Sequence, residues 1–303
     1  MFPPTVIIGL HGVLRRAPWF DRAVEAFTAE DAAEEDTVEG DSPEEGSDEE
    51  NSPEESSVEE AVLSSLAVER AGAHGWQTVT SWLTENGRVT ARHEPTAWAH
   101  EEVGGDWTPD GRVHQLAWLQ AGVRTDPPRP GLPVRPIAQV LAETLARVGT
   151  MTFTGLHALL PLSAARRNTA FHQSELAPWF ALADPDARHE VVVTVSCHPR
   201  KGAPTADDTA AVRQAVREMA DGALEISSSA PARPPAVPPG LDLDLGRGVH
   251  TEGMREAFRF GCTTREWSPD LAVWLVEMVA DALRAAGRAV PVVVTASRVP
   301  PPA

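Results

Sequence analysis

The chain has 303 residues, of which 42% are hydrophobic and 23% charged, at a net charge of −18. That length makes one large or two ordinary domains and is ample for a hydrophobic core. No apolar run is long enough to span a bilayer, no basic residue precedes the short apolar stretch at the N-terminus, and two cysteines build neither a disulfide scaffold nor a four-thiolate zinc site. A reducing cytoplasm is therefore the expected compartment.

Sixteen of the 44 carboxylates fall within residues 30–60, which hold no Lys or Arg, so the remainder of the chain is close to neutral. The acidity belongs to one segment, and no basic stripe with interleaved aromatics supports nucleic-acid binding. Lys201 is the only lysine and tyrosine is absent. This resembles the coding bias of a GC-rich bacterial genome and says nothing about mechanism.

Residues 1–30 read as a strand at 5–10 followed by an amphipathic helix at 18–27, with Phe20, Val24 and Phe27 at helical spacing. Residues 31–56 form an acidic insertion in which Ser-x-Glu-Glu steps recur every five residues, at Ser42, Ser47 and Ser52, with a fourth at Ser57 just beyond it. Self-repulsion and the lack of apolar side chains predict disorder there.

Residues 57–170 read as a first α+β half. Ser57 and Glu60 have capping-box spacing and open a helix with Val58, Val62, Leu63 and Leu66 on one face, stopped by Gly72 and Gly75. From Trp76 the period is two. Strands at 76–83 and 88–92 flank Asn86-Gly87, a hairpin turn pair because both positions favour positive φ. Strands follow at 96–101 and 113–124, with a Gly-rich turn at 104–111 between them. After Pro133, a helix at 134–148 carries Ile137, Leu141, Leu145 and Val148 on one face, and a strand at 151–160 closes the half.

Residues 171–303 read as a second half. It has strand, helix, strand at 190–197, 205–221 and 223–228, then again at 257–264, 268–286 and 290–297. The Pro-rich stretch 230–253 between them is a linker or an extended segment lying on the surface. The expected fold is α+β: a mixed sheet with helices packed mainly on one face, and two βαβ-containing halves related by a pseudo-twofold. The order in the second half suits a ferredoxin-like split βαβ.

Candidate chemistry is sparse. Neither phosphate-binding glycine motif is present. The nearest substitute is Arg200 and Lys201 between a strand end and a helix start, a place for an anion, although Asp207 and Asp208 occupy the same helical turn. Cys197 and His198 are adjacent, but neighbours on a strand point to opposite faces. Cys197 is in phase with Val191, Val193 and Val195, and Cys262 with Phe258 and Phe260, so both read as core. Ten histidines show no metalloprotease or H-x-H spacing, and neither a metal nor a cofactor is expected. His11 and His157 each follow Gly-Leu after an apolar run, a parallel that predicts two histidines at strand ends on one side of a sheet.

Trp76 and Trp82 share a parity on the hairpin, and Trp98 and Trp107 lie in polar, Gly-rich surroundings, so all four are candidates for a contact surface. The expected function is accordingly that of an accessory or interaction protein that binds a protein partner, or a second copy of itself, through the Trp-rich hairpin face. The alternative is an enzyme with a dispersed site built from His11, His157, Cys197 and His198.

Overall fold

A computed structural model describes residues 4–22, 25–26, 58–73, 77–78, 82–85, 88–91, 98–123, 132–164, 170–227, 240–243 and 250–299. The acidic insertion, Ser57, Trp76 and the Asn86-Gly87 turn lie outside these residues, as do the side chains of Trp82 and Trp98.

The strands are β1 (Thr5–Arg16), β2 (Gln77–Thr78), β3 (Trp82–Glu85), β4 (Arg88–Ala91), β5 (Trp98–Gly104), β6 (His114–Val123), β7 (Gly149–Pro161), β8 (His189–Cys197), β9 (Leu224–Ile226), β10 (Arg255–Thr264) and β11 (Pro291–Arg298). The helices are α1 (Val58–Ala73), α2 (Val134–Val148), α3 (Ala170–Ala181), α4 (Asp208–Ala220) and α5 (Pro269–Ala285). Nine strands form one sheet in the order β2-β5-β6-β1-β7-β11-β8-β10-β9. Every pairing is antiparallel except β2 with β5. The class is α+β. Strand β1, read from the sequence as part of a separate N-terminal unit, is inserted between β6 and β7.

The expected hairpin pairs Glu85 with Arg88 and so leaves two residues for the turn. Its strands form a sheet of their own, however, and the expected strand 76–83 is divided between β2 in the main sheet and β3 in the small one.

One face of the main sheet holds the core. Val6, Ile8 and Leu10 of β1, Leu156, Ala158 and Leu160 of β7, and Val191, Val193, Val195 and Cys197 of β8 point to the helices, as period-two alternation requires. Helix α5 is buried nearly all round because α2, α3 and α4 surround it. Its start is fixed by Ser268, whose hydroxyl accepts from the Leu271 amide at 3.3 Å, with Pro269 in the first turn. Trp274 is stacked on Phe180 of α3 at 4.8 Å. No described helix is long and apolar enough to cross a membrane.

The opposite face has a second, smaller cluster in which Leu159, Val293 and Met254 pack with Ile7 and Leu243. Its cover includes the only described part of the Pro-rich stretch between residues 228 and 249, namely residues 240–243. Thr154 donates its hydroxyl proton to the Gly240 carbonyl at 2.7 Å. Leu241 fills the space above Gly155, where a Cβ would come within 2.5 Å of its side chain. Residues 240–243 thus lie across the sheet.

Candidate functional site

Strand register aligns Trp118, Gly9, His157, Thr295, Thr194 and Arg259 in one row across β6, β1, β7, β11, β8 and β10. Alternation puts this row on the face away from the helices. Thr295 and Thr194 lie side by side in this row, and Arg259 pairs with Glu256 of its own strand. The hydroxyls of Thr194 and Thr295 are hydrogen-bonded to one another. Gly9 has no side chain, and the His157 ring occupies the space left free.

The two histidines expected on one side of a sheet do meet. His11 Nε2 and His157 Nδ1 are 2.8 Å apart, with the rings edge-to-face. They lie in mid-strand rather than at strand ends, because β1 and β7 run on past the Gly-Leu-His steps. Both are buried. The Asp242 backbone N–H donates to His11 Nδ1 at 3.1 Å, and this donor fixes the protons. His11 Nδ1 must present a lone pair, so its proton is on Nε2 and points at His157 Nδ1, and the proton of His157 is on its own Nε2. The reverse assignment would leave His11 with no proton. Burial, and then the neighbouring His157, holds the pKa of His11 well below its usual range. Burial pushes that of His157 down to about 4. The pair is neutral and enclosed, and works as a strut between sheet and cover.

The carboxylate of Asp242 belongs to a second group. His114 opens β6 and is buried, and its Nδ1 is 2.9 Å from Asp106 Oδ2 and 3.9 Å from Asp242 Oδ2. Its Nε2 is 2.7 Å from Asp110 Oδ1. Asp106 Oδ1 accepts from the Thr108 amide and hydroxyl at 2.9 and 2.6 Å. Burial alone would raise the Asp106 pKa, but those two bonds and the charge of His114 outweigh it and hold the carboxyl below its usual range. Asp110 is also held low, first by His114 and then by the Arg112 amide. Ligand spacing in the sequence gives no hint of this group. Asp106, Asp110 and His114 read as a turn leading into a strand, and Asp242 is far away in the chain.

The connection between β5 and β6 rests on Trp107. Polar, Gly-rich surroundings made this residue a candidate for an exposed contact surface, but it is 2% exposed and packs edge-on against Phe20 at 5.1 Å. Its indole N–H donates to the Leu116 carbonyl at 2.6 Å. Leu116 falls at a register shift, where β6 passes His11 of β1, and the bulge leaves that carbonyl free for the indole. Trp107 therefore anchors the loop from inside and offers no contact surface.

The remaining candidates stand apart from this face. Cys197 and Cys262 are buried free thiols on the helix side. Burial raises the pKa of Cys197 against a smaller opposing effect of Arg200, and pushes that of Cys262 up to about 12. His198, one residue past the end of β8, is half-buried, and Arg200 and Lys201 are exposed on the following turn. Asp208 takes up the start of α4: its Oδ2 accepts from the Thr205 amide at 2.7 Å and its Oδ1 from Arg288 at 2.9 Å. Both thiols are expected to react slowly with a thiol reagent in the native protein and at full rate in urea. Rapid native labelling of Cys197 would restore it as a nucleophile.

Three large apolar side chains are exposed among the described residues: Trp19, Trp179 and Leu182. Trp179 and Leu182 lie at the end of α3, a helix with little amphipathic signal and an internal Pro178, which the sequence reading missed. Ala177 and Phe180 face the core, so Trp179 stands on the outer side.

No protein-family model, no curated protein and no solved structure matches this chain.

Proposed function

We propose that this protein acts by binding a basic protein partner, and that it does so without covalent catalysis. The observation that carries this reading is the pair Trp179 and Leu182, 66% and 81% exposed and three residues apart. Glu175, Asp184 and Asp186 are exposed around them, and the guanidinium of the nearby Arg188 donates to the carbonyls of Pro185 and Ala187. An apolar anchor with an acidic rim suits a partner whose apolar pocket is bordered by Lys or Arg. The carboxylates of residues 30–60 would steer such a partner in and would repel a second copy of this chain. The hairpin of β3 and β4, which begins at Trp82 and is flanked in the sequence by Trp76 and Trp98, is proposed as the second contact surface. Its strands pair with each other alone among the described residues.

The framework behind both surfaces reads as two halves related by a pseudo-twofold between β7 and β11. With the edge strand β2 set aside, β5-β6-β1-β7 and β9-β10-β8-β11, each counted inward, follow the same order of second, third, first and fourth strand. This supports a ferredoxin-like split βαβ arrangement in each half. Two free thiols support a reducing compartment, in keeping with a cytoplasmic protein.

The test is affinity capture by the full chain, followed by titration of the purified partner. Wild type should bind in a salt-sensitive manner, and a Trp179→Ser, Leu182→Ser variant should lose roughly 30-fold or more in affinity with an unchanged Tm. A Trp76→Ser, Trp82→Ser variant measures the hairpin share. An unchanged Kd in the α3 variant would remove that surface from the reading. A partner that binds neither variant less tightly would end it.

A further inference from the structure

We propose that Asp106, His114 and Asp242 form a binding site for a divalent transition ion of the zinc or manganese type, and that the ion ties residues 240–243 to the connection between β5 and β6. The donor atoms, His114 Nδ1 and one carboxylate oxygen from each aspartate, lie within 4.8 Å of one another. On a tetrahedral ion with bonds of about 2.0–2.2 Å, neighbouring ligand atoms are about 3.4 Å apart. The separations of 2.9 and 3.9 Å from Nδ1 bracket that value, so small side-chain rotations close the site.

The supporting residues choose the ligand atoms. Asp110, itself ion-paired with Arg112, takes the Nε2 proton of His114. This is the carboxylate–histidine arrangement that leaves the other ring nitrogen free for a metal. Thr108 occupies Oδ1 of Asp106 and leaves Oδ2 facing the ring. In the neutral ring the Nδ1 lone pair would oppose a carboxylate oxygen at 2.9 Å. Two acceptors at that distance are stable only with a cation between them, either a proton or a metal ion. Three carboxylates surround the ring against one guanidinium, which favours a dication. An imidazole nitrogen in the set favours zinc over magnesium or calcium, and the two carboxylate oxygens also admit manganese. The ion would also act on the buried histidine pair, because the residue that supplies its third ligand is the one whose backbone N–H caps His11.

The experiment is calorimetric titration of chelator-stripped full-length protein with ZnCl2 and MnCl2, with MgCl2 and CaCl2 as comparison ions, alongside melting curves. One ion per chain should bind, zinc most tightly, with a rise in Tm. Asp242 is exposed, so Asp242→Asn should fold with the metal-free Tm of wild type. Its zinc affinity should fall by at least about 100-fold, beyond the effect of losing a supporting partner alone, and the zinc-induced rise in Tm should vanish. His114→Gln should behave in the same way if it folds; Asp242→Asn decides the matter if it does not. Zinc binding that survives Asp242→Asn would belong elsewhere on the chain and would overturn the proposal. Absence of zinc binding in wild type would also overturn it, and would make the group an imidazolium clamp.

Discussion

Between pH 7 and pH 4 the folded protein is expected to lose roughly 3 kcal/mol of stability through His157 alone. In the unfolded chain its imidazole takes up a proton near pH 6.5, whereas burial in the sheet lowers the folded value to about 4. Across that interval the unfolded state binds more protons than the folded one, so stability rises with pH. It is fully present above pH 6.5 and is lost as the pH falls towards 4. His11 moves in the same direction, and protonating it at Nδ1 would also set an N–H against the Asp242 N–H. The aspartates contribute in a different window, because Asp106 and Asp110 are held below their usual range and lose their share only below about pH 4. Urea unfolding at a series of pH values between 7.5 and 4.5 measures the slope. His157→Asn should flatten it without abolishing it, since His189 is also shifted down by burial and Arg298. A flat profile from pH 7 to 5, or a His157 resonance titrating near 6.5, would show that the pair is not the neutral strut described above.

Where the pattern was local, the sequence revealed the fold. Helix α2 spans 134–148 in both readings because an amphipathic run is bounded by Pro133 and Gly149, and α5 is likewise delimited by Ser268-Pro269. The repeated Gly-Leu-His step pointed to two histidines on one side of a sheet, since parity along a strand is a local property. Their depth was not legible. It depends on Asp242, which arrives from a Pro-rich stretch 231 residues further along the chain and looks like a linker on composition. Trp107 was misread for a related reason. Polar neighbours suggested exposure, but its polar atom needed just one acceptor, and that acceptor exists because β6 carries a bulge. Bulges leave no mark in hydrophobic periodicity. The Asp106, His114 and Asp242 group escaped because its ligands come from a turn, a strand and a distant cover, with no spacing rule to join them. Helix α3 escaped because Pro178 and a weak apolar stripe hide it, and with it went the exposed Trp179.

Gly9→Ala is expected to destabilise the protein by roughly 2–5 kcal/mol, the sum of overpacking and of a buried N–H left without an acceptor. An added Cβ would lie 2.1 Å from His157 Cε1 and 2.6 Å from Nδ1. Those atoms belong to a ring held by His11 on one side and the sheet below, so they cannot swing aside as the end of a flexible chain would. The ring must leave its place, and the His11 Nε2 proton then loses its partner inside the protein. Backbone conformation is not at issue, because Gly9 is absent from the glycines with positive φ. The clash therefore predicts a strong dependence on background. In a His157→Ala protein the space is vacant, and adding Gly9→Ala should be neutral or stabilising by about 0.4–1 kcal/mol through the unfolded chain. A double-mutant cycle from chemical denaturation should accordingly give a coupling of at least about 2 kcal/mol between the two positions. Equal costs for Gly9→Ala in the two backgrounds would place the strain elsewhere, with Trp118, the cross-strand neighbour of Gly9 on β6, as the residue to vary next. A large coupling would identify the glycine as the feature that makes room for an imidazole in the middle of a sheet, within reach of His11.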